Sequence, residues 1–134
     1  MDSVTRTLAD LRQQRDVAES FNPHIELDFP TMLQSALVCA DLSIREAAVM
    51  ARDAPDGRDS GWFFGCGNPH HDHNDPANLL RVSLDEVGCR NPRVIRYLAL
   101  PAGTEIQDLA GTKPRAFFDG AEGKVVAGSY LDRV

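Results

Sequence analysis

The chain is short of lysine, of cysteine and of long apolar runs, and each shortage closes off a class of function. Only two of its 14 basic residues are lysines (Lys113 and Lys124), against 20 acids, for a net charge of −6. With no excess of cations to neutralise phosphates, nucleic acid is not expected as a partner. A basic protein surface suits the chain better, because opposite potentials speed encounter and select partners. No apolar run approaches the ~20 residues that span a bilayer. The first ten residues lack the basic and then apolar pattern of a secretory signal. A cytoplasmic location is therefore expected, with no membrane association. Three widely spaced cysteines, Cys39, Cys66 and Cys89, do not make a disulfide framework, and an odd count suits reduced thiols.

What is present fits one domain. A length of 134 residues with 43% hydrophobic content is enough for a single core. Val4, Leu8, Leu11 and Ala18 recur at helical spacing, predicting an amphipathic helix from about 4 to 19, stopped by Asn22-Pro23. Residues 24–29 alternate, with Ile25, Leu27 and Phe29 on one side, and read as a half-buried strand closed by Pro30. Ala36 to Cys39 reads as a strand. Ser43 to Glu46 has the form of a capping box, and local propensity favours helix through Arg52.

Asp53 to Asp59 is a loop on its proline, aspartate and glycine content. It leads into a buried strand, Gly61 to Cys66, carrying the only tryptophan, Trp62. Alternation puts Trp62 and Phe64 on one face and Phe63 on the other. Asp75-Pro76 and Ser83 read as helix starts, and Asn91-Pro92 begins a short helix ended by Pro101 and Gly103. Thr104 to Leu109 reads as a strand. A hairpin is expected over about 115–127, with Ala116–Phe118 and Lys124–Ala127 paired across Asp119–Gly123. The pattern is α+β, a single domain with a mainly antiparallel sheet, an N-terminal helix and short helices after the tryptophan strand.

Chemistry concentrates after Phe64, where Cys66, His70, His71, Asp72, His73 and Asp75 follow in one loop. Cys66 with His70, His71 and His73 can in principle ligate zinc, with Cys89 as a further donor. The set contains no Cys-x2-Cys and no His-Glu-x-x-His, so the metal reading stays an alternative, and no cofactor is expected. Cys66 beside a histidine would be the nucleophile of an enzyme, but no third orienting group accompanies it. The preferred reading is a solvated loop that faces a partner.

Four blocks carry a family likeness. They are Arg52-Asp53-Ala54-Pro55, Asp59-Ser60-Gly61-Trp62-Phe63-Phe64-Gly65, Asp75-Pro76-Ala77-Asn78, and Asn91-Pro92 before an apolar helix. Over roughly residues 36–109 the chain resembles immunity-protein family thirty-three of bacterial polymorphic toxin systems. The resemblance implies a non-enzymatic protein that binds and neutralises a cognate toxin. It also favours a hairpin over 36–52, and the strand reading for Ala47 to Arg52 is adopted on that ground. Where the family carries Gly-Asp-Glu and further acids, this chain has Gly65 to His73. Asp59, Ser60, Gly61, Trp62 and Asn78 are taken as scaffold, with Asp59 pairing to Arg52 or Arg58. The expected contact surface is Asp53, Asp56 and Arg58 together with His70, His71, Asp72, His73 and Asp75, around an exposed aromatic anchor and against a basic toxin patch. A housekeeping interaction module is the remaining alternative.

Overall fold

Alternation along one strand sets the architecture. In β4 (Asp59–Gly65), Ser60, Trp62 and Phe64 are buried, whereas Gly61 and Phe63 are only half-buried. The computed structural model describes residues 3–40, 48–65, 72, 74–109 and 113–133. Helices pack on the Trp62 side of the sheet, where Val38, Met50, Trp62, Phe64 and Ile106 meet Leu84, Val87, Tyr97 and Leu98 in one core.

The elements run α1 (Ser3–Glu19), β1 (Phe21–Asn22), β2 (Ser35–Cys39), β3 (Ala48–Arg52) and β4, then a single 3₁₀ turn at Pro76–Asn78. They continue through β5 (Leu79–Ser83), α2 (Leu84–Arg90), a 3₁₀ helix at Pro92–Tyr97, β6 (Thr104–Asp108), β7 (Arg115–Phe118), β8 (Ala121–Glu122), β9 (Lys124–Val125) and α3 (Tyr130–Arg133). Seven strands form one sheet in the order β5-β2-β4-β3-β6-β7-β8, while β1 and β9 pair separately. Only β2 against β4 is parallel among the neighbours of the large sheet. The fold is α+β with a mainly antiparallel sheet. No described helix is long and apolar enough to cross a membrane.

The local start signals act as their chemistry requires. Asp75 Oδ1 accepts from the Ala77 amide at 3.0 Å, with Pro76 at the first position. Ser83 Oγ accepts from the Glu86 amide at 3.2 Å and opens α2, whose first turn carries Asp85 and Glu86.

Four expectations are corrected. The residues 36–52 do not form a hairpin, because β4 lies between β2 and β3; β3 pairs instead with β4 and β6. Residues 24–29 join no sheet. Their backbone is tied by Ile25 N to Ala18 O (3.3 Å) and Asp28 N to Ala99 O (2.8 Å), so alternation here marks an extended segment laid on the core. Of the stripe on α1 only Ala18 is buried; Val4, Leu8 and Leu11 are 68%, 61% and 41% exposed, and the helix packs through Gln14, Val17 and Ala18. Gln14 Nε2 donates to Ile95 O at 3.0 Å, which fixes that side of the helix against the 3₁₀ helix Pro92–Tyr97.

The C-terminal hairpin is shorter than expected. Asp119 (φ 51°) and Gly120 (φ 87°) both adopt left-handed backbone, so the tight turn closes there and pairs Phe118 with Ala121. The chain then leaves at Gly123, where a Cβ would stand 2.6 Å from Phe118 and 2.9 Å from Phe21. Lys124–Val125 therefore pairs with Phe21–Asn22. Ser43 to Glu46, the capping-box residues, lie outside the described residues.

Gly61 gives a sharp test of this framework. Its φ is 85°, and a Cβ there would sit 2.0 Å from the Asp53 carbonyl oxygen, which is backbone and cannot swing away. Gly61→Ala is expected to destabilise the domain by more than ~2 kcal/mol, read from the urea-unfolding midpoint. An unchanged midpoint would show that the 53–61 hairpin is not held as described.

Candidate partner-binding site

Two of the expected scaffold residues, Ser60 and Trp62, meet at one buried cation. Arg52 ends β3 on the inner face, 2% exposed. Its Nε donates to Ser60 O at 3.0 Å, and Nη1 lies 2.7 Å from Asp28 O, 2.9 Å from Leu100 O and 3.4 Å from Leu98 O. Trp62 Nε1 donates to the same Leu98 carbonyl at 2.9 Å, and the guanidinium lies 5.6 Å from the indole centroid. Burial lowers the Arg52 pKa, and nearby Asp28, with Oδ2 at 3.8 Å, works in the opposite direction. Arg52 remains a cation all the same.

Ser60 and Asp59 are equally occupied. Ser60 Oγ donates to Ser35 O at 2.8 Å and accepts from Trp62 N at 3.2 Å. Asp59 Oδ1 accepts from Gly61 N at 2.9 Å. Its ion pair is with Arg81, at 3.4 Å, not with Arg52 or Arg58 as anticipated. Parallel pairing of β2 and β4 next to antiparallel β5 brings Arg81 to that end of the sheet. Asn78 Nδ2 donates to Asp72 O at 2.8 Å and so closes its own loop.

The expected contact residues fall into two groups. Asp53, Asp56 and Arg58 are exposed on the loop leading into β4, tied to β2 through Ser35 N to Arg58 O (2.6 Å) and Gln34 Nε2 to Gly57 O (3.0 Å). Asp72 and Asp75 are exposed at the opposite end, where Asn78 O accepts from Ala40 N at 2.8 Å beyond the end of β2. Five residues of β2 lie between, about 15 Å at ~3.3 Å per residue. The two groups do not meet. Cys66, His70, His71 and His73 lie outside the described residues, and no metal-ligating cluster occurs among the described ones. The exposed apolar residue beside the first group is Leu33, 88% exposed, over a depression of about 450 Å³ that Gly57 and Arg58 help to line. Trp62 is buried and Phe63 half-buried.

A family model described as Imm33-like domain matches residues 13–113. The chain belongs to this family. No curated protein and no solved structure matches it. The matched span takes in the second half of α1, including Gln14, Val17 and Ala18, which anchor the helix to the core.

Within the Imm33-like domain the sequence reading missed the face of the sheet opposite the helices. One row of Cα partners crosses all seven strands there: Arg81, Leu37, Phe63, Ala51, Glu105, Phe117 and Glu122. The signal was present as alternation in each strand, but the strand order that aligns them was not. A further concavity, about 670 Å³ between α1 and α2, is lined in part by Arg6, Asp10 and Cys89. Burial raises the Asp10 pKa, with Arg6 opposing it.

Arg52→Met is expected to cost about 3–5 kcal/mol, because it strands backbone carbonyls in a buried site. Arg52→Lys keeps the charge without the fork and recovers only part of the loss. Thermal and urea unfolding of the two variants check this. Equal stability of Arg52→Met and the parent would remove the guanidinium from its central role.

Proposed function

We propose that this chain is an immunity protein that binds a cognate bacterial toxin and neutralises it by occlusion, without catalysis of its own. The observation that carries the reading is the Imm33-like match over residues 13–113. A second observation supports it. Arg52, Asp59, Ser60 and Trp62, all within that span, make hydrogen bonds inside the domain. They hold the fold, which leaves function to the surface. The net charge of −6 favours a toxin with a basic patch, and the proposal puts both proteins in the cytoplasm.

The contact residues proposed from the loops are Asp53, Asp56 and Arg58 at one end, and His70, His71, Asp72, His73 and Asp75 at the other. One partner reaching both ends would lie along β4, on the side of the sheet away from the helices.

The decisive test is co-expression with the C-terminal domain of the protein encoded by the adjacent gene, once that domain alone is shown to arrest growth. Growth is expected to be restored when both are made in the cytosol, and the two proteins are expected to co-purify. Persistent toxicity together with no complex would sink the proposal. Asp75→Asn separates charge from structure, because asparagine caps as well as aspartate. Combined with Asp72→Asn, it is expected to weaken the complex a few-fold, at an unchanged melting temperature, as rim charges do. Isothermal titration with the purified toxin domain measures it, and unaltered affinity would remove this loop from the interface.

A further inference from the structure

The face of the sheet away from the helices has the make-up of an interface centre. Leu37, Phe63 and Ala51 are cross-strand neighbours on β2, β4 and β3, with Val49 one step along β3 and 37% exposed. Phe117 continues the apolar row on β7. Charges stand mainly at its margins. Arg81 on β5 is engaged by Asp59, and Arg115 on β7 makes a two-point pair with Glu122 at 2.9 and 3.0 Å while lying 5.2 Å over Phe117.

Glu105 is the exception. It is exposed between Ala51 and Phe117 in the middle of the apolar row, and it makes no ion pair among the described residues. A carboxylate in water at such a position is inexpensive. Covered by a partner, it must meet a cation or leave a buried charge unpaired, which is costly. The face therefore selects its occupant.

We infer that this outer face of the sheet, around Val49, Ala51 and Glu105, is the toxin-docking surface, and that its occupant presents a lysine or arginine ringed by apolar side chains, seated over Glu105. The inference rests on the immunity reading above and names its surface. Size agrees with it. Seven strands at ~4.8 Å spacing and five residues at ~3.3 Å give a footprint of roughly 500 Å² before side-chain relief. A specific interface takes about 800 Å² from each partner, and the exposed residues Asp53, Asp56 and Arg58 before β4 add to the footprint. Exposed Asp53, Asp56 and Arg58 stand at one end of β4 and exposed Asp72 and Asp75 at the other, so a partner lying along this face is near both.

The test uses the full chain and a C-terminal domain from the adjacent gene that arrests growth on its own, with affinity and growth rescue as readouts. Glu105→Arg and Val49→Lys are each expected to weaken binding roughly ten- to a hundred-fold. Glu105→Gln should have a smaller effect than Glu105→Arg. Circular dichroism and melting temperature, matched to the parent, show that each variant is folded; Glu105→Gln, which adds no charge or bulk, remains readable if the others are not. If the parent protects and all three variants bind and protect equally well, the surface is wrong while the immunity reading stands. If the parent itself fails to bind and protect, the immunity reading fails, and the docking surface with it. A parent dimer in sedimentation that Glu105→Arg converts to monomer, with protection intact, would make the face a self-interface and overturn the inference.

Discussion

The buried guanidinium of Arg52 is the constraint around which this domain is arranged. A charge inside a core is tolerable only when hydrogen bonds replace its hydration. Here the replacement comes from backbone carbonyls of three separate segments: Ser60 on β4, Asp28 on the extended stretch before β2, and the Leu98–Leu100 turn before β6. The one carboxylate nearby, Asp28, is 3.8 Å away with its side chain half exposed, so carbonyl dipoles carry most of the compensation. Trp62 sharpens the arrangement by donating to the Leu98 carbonyl and stacking its ring near the cation. Neither residue can move without releasing the other.

A second polar tie repeats the logic at the far end of the same inner face. Asp108, nearly fully buried, accepts from Arg93 at 2.6 Å and from the Tyr97 hydroxyl at 3.2 Å. Burial, and then the Asp108 carboxylate, push the Tyr97 phenol above its ordinary range, so it stays a donor at any physiological pH. Arg52 binds β3 to the turn that follows the 3₁₀ helix Pro92–Tyr97, and Asp108 binds β6 to that helix itself. The helical layer is thus clamped to the sheet at both ends, with apolar packing between.

These ties explain what could be read from the sequence and what could not. Local signals were legible: Asp75 and Ser83 cap as their positions suggest, and Trp62 and Phe64 share the inner face by simple alternation. The seven-strand order was not legible, because nothing local tells β2 to leave a place for β4. Val4, Leu8 and Leu11 misled for a related reason. Helical spacing identifies a stripe but not which stripe is covered, and Gln14, a polar residue, marks the buried side through its bond to Ile95. Among the proposed site residues, Asp53 and Asp75 were recognised as exposed loop acids, yet their separation depends on the direction of β4. The histidine-rich loop remains a matter of sequence alone.

Period-two alternation then has a consequence for recognition. Midway along the central strands, inward and outward residues alternate: Arg52 beside Ala51, Trp62 beside Phe63, Ile106 beside Glu105. The inward set is bound by a buried charge and a closed hydrogen-bond network, and tolerates little change. The outward set is held in a fixed register by that same network but contributes little to the core. Substituting Glu105 alters what the sheet attracts without touching what holds the sheet together. A protein whose task is to match one partner and refuse others needs that separation, because specificity is gained as much by misplaced charge as by good contacts. The stiffer the inward half, the more accurately the outward half is presented, and the less ordering a partner must impose on it when it binds.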